Sequence, residues 1–203
     1  MALTVIFDLG GVLIEWDPRY LYRKLFAGDD AAMERFLATV CTPAWNVRQD
    51  EGRPIAEATA LVRAAHPDQG ALIDAYYARF DEMMAGPIIG TVAILEALHR
   101  HGTPLYALTN FSAETYPLAL RRFDFLTRFR GVLVSGEVGL VKPDPRIYHL
   151  MLERYRLVAA DAVFIDDKPA NVAAAEAVGM RGIVFSDPAA LRRDLAALGV
   201  LAG

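Results

Sequence analysis

Leu3-Thr4-Val5-Ile6-Phe7-Asp8-Leu9-Gly10-Gly11 decides how the rest of this 203-residue chain is read. A run of five residues, apolar except for Thr4 and rich in β-branched and aromatic side chains, stops at an aspartate and two glycines, which predicts a buried strand running into a tight turn. The same grammar recurs four times: run 104–108 stops at Thr109-Asn110, 132–134 at Ser135-Gly136, 162–165 at Asp166-Asp167, and 182–185 at Ser186-Asp187-Pro188. Helical patterns lie between these runs at 91–100, 113–123, 145–156 and 169–178, the last closed by Gly179 in a favoured C-terminal capping position. Near-continuous apolar strands alternating with helices predict an α/β fold whose parallel sheet is covered on both faces.

Residues from about 17 to 84 break the alternation. They hold no strand-like run, only helical periodicity at 20–26, 31–40, 54–65 and 71–84, punctuated at Gly28-Asp29-Asp30, Cys41-Thr42-Pro43, Glu51-Gly52-Arg53-Pro54 and His66-Pro67-Asp68. About four helices are therefore expected as an insertion, 16–85, in a core made of 1–15 and 86–203. Hydrophobic residues are 54% of the chain, enough for a full core. A net charge of −4 gives no footprint for nucleic acid or an anionic membrane. The longest stretch without Asp, Glu, Lys or Arg is 13 residues, as at 83–95, short of the ~18 that a bilayer span requires. The first residues carry no basic segment and soon meet Asp8, so no secretory signal is expected. The single cysteine, Cys41, cannot form an intrachain disulfide, and a reducing cytoplasm is expected. Oligomeric state is left open.

Open parallel sheets bind ligands beyond the carboxyl ends of their strands, and the polar residues gather there. Asp8, Thr109 and Asp166-Asp167 each follow an apolar run directly, and Lys142 follows the third run in Gly139-Leu140-Val141-Lys142-Pro143-Asp144-Pro145. Three neighbouring carboxylates repel one another unless a cation neutralises them, and hard oxygen ligands suit Mg²⁺. With Mg²⁺, the Lys142 ammonium, the Thr109 hydroxyl and backbone N–H groups near Gly10-Gly11 can hold the oxygens of a phosphoryl group. A carboxylate can then attack phosphorus, splitting one difficult displacement into two easier ones.

The ordered set FDLGGVL at Asp8, LTN at Thr109, VKPDPRIY at Lys142 and FIDDKPANV at Asp166 resembles the haloacid dehalogenase (HAD) superfamily, in its phosphatase branch. The resemblance spans nearly the whole chain and implies a Rossmann-like core with the helical insertion as a mobile cap. It implies that Asp8 is the nucleophile, that Thr109 binds the phosphoryl group with Asn110 and Gly11 beside it, and that Lys142 steadies both nucleophile and phosphate. It also implies that magnesium is held by Asp8, Asp166, Asp167 and the backbone carbonyl of Gly10. The implied reaction is hydrolysis of a small phosphorylated metabolite through an aspartyl-phosphate. Two alternatives stay open: metal-free dehalogenation of a 2-haloacid, and a phosphate-binding regulator that has lost turnover.

Gly10 departs from the family pattern, which places a second aspartate there as general acid and base. A general acid contributes ~10²–10⁴ in rate, so the expectation is slow hydrolysis, best for leaving groups that need little protonation. Sugar 1-phosphates are such esters, and a branch of the family with FDLGN-type first motifs includes a glucose-1-phosphate phosphatase. Glu15 and Asp17 are candidate substitute acids, although Asp17 is better placed to cap the helix opening at Pro18. Asp144 and Asp187 read as helix caps, and Lys168 and Asn171 as supports for the acidic pair. Trp45 and Cys41 read as packing residues, and His66, His99, His101 and His149 as surface or partly packed groups.

Overall fold

The computed structural model describes residues 3–201. Its strands are β1 (Thr4–Phe7), β2 (Ile14–Trp16), β3 (Met84–Pro87), β4 (Leu105–Thr109), β5 (Gly131–Val134), β6 (Ala162–Asp166) and β7 (Arg181–Val184). Five of them form one parallel sheet in the order β5-β4-β1-β6-β7. β1 is central: the next core strand, β4, lies on one side of it and β6 on the other, so the order reverses at β1. The crevice that such a reversal opens lies beyond the carboxyl end of β1, next to those of β4 and β6.

Every apolar run read as a strand is one, within a residue or so at its ends. Val5, Phe7, Ala107, Val163 and Ile165 pack under one face, and Ile6, Leu108, Leu133 and Phe164 under the other, as a doubly covered parallel sheet requires.

Five helices fill the insertion: α1 (Arg19–Leu25), α2 (Asp30–Thr39), α3 (Pro43–Asp50), α4 (Ile55–Ala65) and α5 (Gly70–Ala78). Periodicity predicts only about four, because the short and polar α3 offers no apolar stripe. It opens as a helix should, with the Thr42 hydroxyl accepting the Trp45 N–H at 3.0 Å and Pro43 in the first turn. The expected long helix at 71–84 also divides. After α5 comes a short 3₁₀ segment, Phe80–Met83, and then β3, which pairs antiparallel with β2. That two-stranded ribbon is the neck through which the chain leaves and re-enters the core.

The core helices are α6 (Ile89–Arg100), α7 (Tyr116–Arg122), α8 (Ser135–Val138), α9 (Pro145–Tyr155), α10 (Pro169–Ala177) and α11 (Pro188–Ala197). Asp144 and Asp187 cap α9 and α11, accepting N–H groups of Arg146 at 2.9 Å and of Ala189 and Ala190 at 2.8 and 2.9 Å. No helix of the described residues is long and apolar enough to cross a membrane.

Candidate active site

β1 delivers Asp8 to the centre of the crevice, β4 delivers Thr109, β6 delivers Asp166 with Asp167 directly after it, and the loop after α8 delivers Lys142. Asp8, Thr109, Lys142 and Asp166 are all buried. Oxygens of Asp8, Asp166 and Asp167 lie within 4.8 Å of one another.

The Lys142 ammonium spends all three protons inside the protein. It sits 2.9 Å from Asp8 Oδ1, and it donates to Asp166 Oδ2 at 2.6 Å and to the Leu108 carbonyl at 2.9 Å. Its position is fixed from behind by Asn110, whose Nδ2 donates to the Lys142 carbonyl at 3.0 Å while its Oδ1 accepts the Lys142 N–H at 2.8 Å. Both ends of the Asn110 amide are thus turned to the lysine's main chain.

Asp166 is the anchor of the group. Its oxygens accept from Lys142 Nζ, from the Lys168 N–H at 2.8 Å, and from Asn171 Nδ2 at 2.9 and 3.0 Å. Asp167 differs: its Oδ1 is buried and has no hydrogen-bond partner. An orphaned buried carboxylate oxygen is costly and rare, and a hard cation satisfies it. Gly11 makes room beside it. A Cβ there would come within 2.8 Å of Asp167 Oδ2, and the Gly11 φ of +77° excludes most side chains in any case. The Gly11 N–H is itself committed to the Ile14 carbonyl at 2.9 Å, and the Leu9 N–H to Asp8 Oδ1 at 2.7 Å. Gly11 therefore shapes the site by the side chain it lacks. Among the described residues nothing donates to the Gly10 carbonyl, which leaves it free for a cation.

Burial raises the Asp8 carboxyl to about 7, with Asp166 adding repulsion and Lys142 opposing both. Burial and the Asp166 charge also raise Asp167. A site holding three acids against one ammonium has charge to spare for a dication.

One further acid belongs here and was not singled out in the sequence. Asp50, the last residue of α3, is pushed from 3.8 to about 7, first by burial, with Lys168 and the Ser112 backbone amide opposing and Glu51 and Asp8 adding repulsion. Its Oδ2 accepts Asn46 Nδ2 at 3.1 Å, and that polar i, i+4 pair just before Gly52 is the signal the sequence offered. Glu15 is exposed on β2. Asp17 accepts the Arg19 N–H at 2.8 Å at the start of α1. Trp45 packs on Tyr76 and Tyr77 with ring centroids 5.0 and 5.3 Å away, and burial holds the Cys41 thiol up at about 12. His99, His101 and His149 are exposed and His66 is partly so.

The haloacid dehalogenase-like hydrolase model matches residues 3–179. A sesquiterpene phosphatase of Aspergillus oryzae is 27% identical, over 95% of this chain and 94% of that protein. A ribulose-1,5-bisphosphate 5-phosphatase of Halopiger xanaduensis is 28% identical, over 93% and 86% respectively. A HAD family enzyme from Bacteroides thetaiotaomicron, solved with magnesium and inorganic phosphate, superposes with a TM-score of 0.70 at 21% identity over 92% of this chain and 96% of that one. The carboxylates round Asp8, in their order along the chain and in this fold, thus have a family: the chain belongs to the haloacid dehalogenase-like hydrolases.

Proposed function

We propose that this protein is a magnesium-dependent phosphatase that transfers the phosphoryl group of a small metabolite to Asp8 and then to water. The observation that carries this reading is Asp8 itself, held by Lys142 at 2.9 Å beside an unsatisfied Asp167 oxygen at the reversal point of the sheet. Magnesium would be held by Asp8, Asp166, Asp167 and the Gly10 carbonyl, and when bound it supplies positive charge for the phosphoryl oxygens. Lys142 holds Asp8 in one orientation and favours its ionised, nucleophilic form. Asp166, fixed by Asn171, holds Lys142. The Thr109 hydroxyl, buried at the end of β4, binds a phosphoryl oxygen. Attack by an Asp8 oxygen forms the aspartyl-phosphate, and hydrolysis of that acyl phosphate returns the carboxylate. The helical insertion roofs the site and limits water.

The substrate class follows from Gly10. It offers no proton to the leaving oxygen, which favours esters such as sugar 1-phosphates. Among its relatives the named substrates range from a sesquiterpene to a bisphosphorylated sugar, so the class is read from this chain's own residues.

Phosphate release from sugar, acyl and alkyl phosphates, with and without Mg²⁺, tests the reading. Turnover is expected to need magnesium and to fall by at least about 10³-fold in Asp8→Asn, which removes the nucleophile. A single phosphate released per chain, with no further turnover, would mark a phosphate-binding regulator instead. Glycerol phosphate outpacing glucose 1-phosphate would overturn the substrate class alone.

A further inference from the structure

Gly10 leaves a gap in the chemistry: the leaving oxygen needs a proton, and the strand that carries the nucleophile provides none. The two acids nearest in sequence do not fill it. Asp17 is committed to the Arg19 N–H and guanidinium at 2.8 and 3.3 Å. Glu15 sits exposed on β2, opposite Gly86 in the neck. A Cβ built on Gly10 meets nothing within 4 Å, so a side chain there would have room.

The C-terminal end of α3 packs on the loops at the carboxyl edge of the sheet. This end is fastened to the loops that follow β4 and β5. The position of a Gly52 Cβ lies 3.2 Å from the Gly136 carbonyl, and that of a Gly139 Cβ lies 3.8 Å from the Glu51 carbonyl. Just beyond, the Ile55 N–H donates to Glu114 Oε1 at 2.8 Å. Asp50 ends α3 at this docked edge, near enough to the site to feel its charges. Its carboxyl lies against the Ser112 amide, three residues past Thr109, and feels the charges of Lys168, one residue past Asp167, and of Asp8. Asn46 holds it at 3.1 Å, and Asn46 Oδ1 in turn accepts the Tyr77 hydroxyl at 2.9 Å, so the carboxyl is steered by a fixed network.

We propose that Asp50, reaching down from the helical insertion, is the proton donor that replaces the acid missing at position 10. The inference rests on the phosphatase reading above. In the first step an Asp8 oxygen bonds to phosphorus, the bond from phosphorus to the leaving oxygen breaks, and that oxygen takes the electron pair and the proton of Asp50. In the second step water bonds to phosphorus, the bond to Asp8 breaks and leaves its electron pair on the carboxylate, the water protons leave with phosphate and into solvent, and Asp50 takes a proton back from solvent. Each cycle restores both acids. Burial keeps Asp50 protonated to about pH 7, which suits a group that must give a proton near neutrality. The same acid relaxes the leaving-group preference that Gly10 imposes, and removing it should sharpen that preference.

The test compares kcat for glycerol phosphate, whose leaving oxygen needs a proton, with kcat for p-nitrophenyl phosphate, whose leaving oxygen does not. In Asp50→Asn the first is expected to fall about 10²-fold and the second less than about threefold, and that retained turnover certifies the fold. Gly10→Asp in the same background is expected to restore at least about tenfold of the lost glycerol phosphate rate. Equal losses for both esters would overturn the proposal, as would a rise in KM with kcat unchanged. A wild-type protein that hydrolyses neither ester with magnesium would sink the phosphatase reading itself, an outcome distinct from either of these.

Discussion

Asp8 and Asp50 are both raised to about 7, and burial is the largest cause in each. Their consequences differ because, in the proposed reaction, Asp8 must lose its proton to act while Asp50 must keep one. For Asp8, a dication binds only the carboxylate, so metal and proton compete. Magnesium affinity is expected to tighten as pH rises from about 6 to 8, with on the order of one proton released per ion at pH 6. Calorimetry in two buffers of different ionisation enthalpy measures that release, and a pH-independent affinity would show that Asp8 is not a ligand. For Asp50, the folded protein binds the proton more tightly than the unfolded chain, so stability from this group is greatest at low pH and declines as pH rises from about 4 to about 7. The rise from 3.8 to about 7 sets a ceiling of about 4 kcal/mol. Asp50→Asn should therefore melt higher than the wild type at pH 8 and nearly level with it at pH 4. An equal melting temperature at pH 8 would mean that the folded protein ionises Asp50 without cost. These two aspartates also mark how far the site could be read in the sequence. Asp8 ends an apolar run and announces itself, as do Thr109 and Asp166, whereas Asp50 ends a polar helix where one more acid carries no pattern. The commitments of Asn110 to Lys142 and of the Gly11 N–H to Ile14 were hidden for a different reason, since hydrogen-bond partners 32 and three residues away are set by folding and not by local residue type.

At the scale of elements, the strands were legible because a doubly covered parallel sheet demands apolar residues on both faces, and little else in a chain produces five such runs. The insertion was harder. Its helices are amphipathic segments whose apolar sides meet one another as well as the core, and α3 carries charged and amide groups where a stripe would be expected. Its docking instead depends on Gly52, which has a φ of +97° and lies against the Gly136 carbonyl. Alanine there must adopt a left-handed conformation, at a cost of about 1–2 kcal/mol, and press a methyl group on that carbonyl. Gly52→Ala is expected to lower stability by about that amount and to lift the end of α3 from the site. Hydrolysis of glycerol phosphate should then suffer more than hydrolysis of p-nitrophenyl phosphate, because Asp50 moves with the helix. If both rates hold while the melting temperature falls, the docking of α3 is structural only.

Across the whole molecule, the insertion and the sheet share one hydrophobic cluster. Val5 and Phe7 of β1 belong to the same buried set as Tyr22, Phe36, Trp45, Ile73 and Tyr76, bridged by Leu9, Leu13 and Ile14 of the turn and neck and by Phe80 against Phe111. A cap that opened as an independent body would expose part of that cluster to water, at about 25 cal/mol for each Å² of apolar surface. Opening is therefore expected to be a limited hinge at the two-stranded neck, with unfolding still one cooperative event. The chain provides its own probe, because both of its tryptophans, Trp16 and Trp45, lie in the neck and the insertion while most of the helix and strand lies in the core. Thermal melts followed by tryptophan fluorescence and by far-ultraviolet circular dichroism should coincide, and both should move up together when magnesium and phosphate are added, since ligands that bind only the folded site stabilise whatever unfolds with it. A fluorescence transition that runs ahead of the dichroism would show that the insertion melts alone, and the roof that carries Asp50 would then be a separate domain resting on the core.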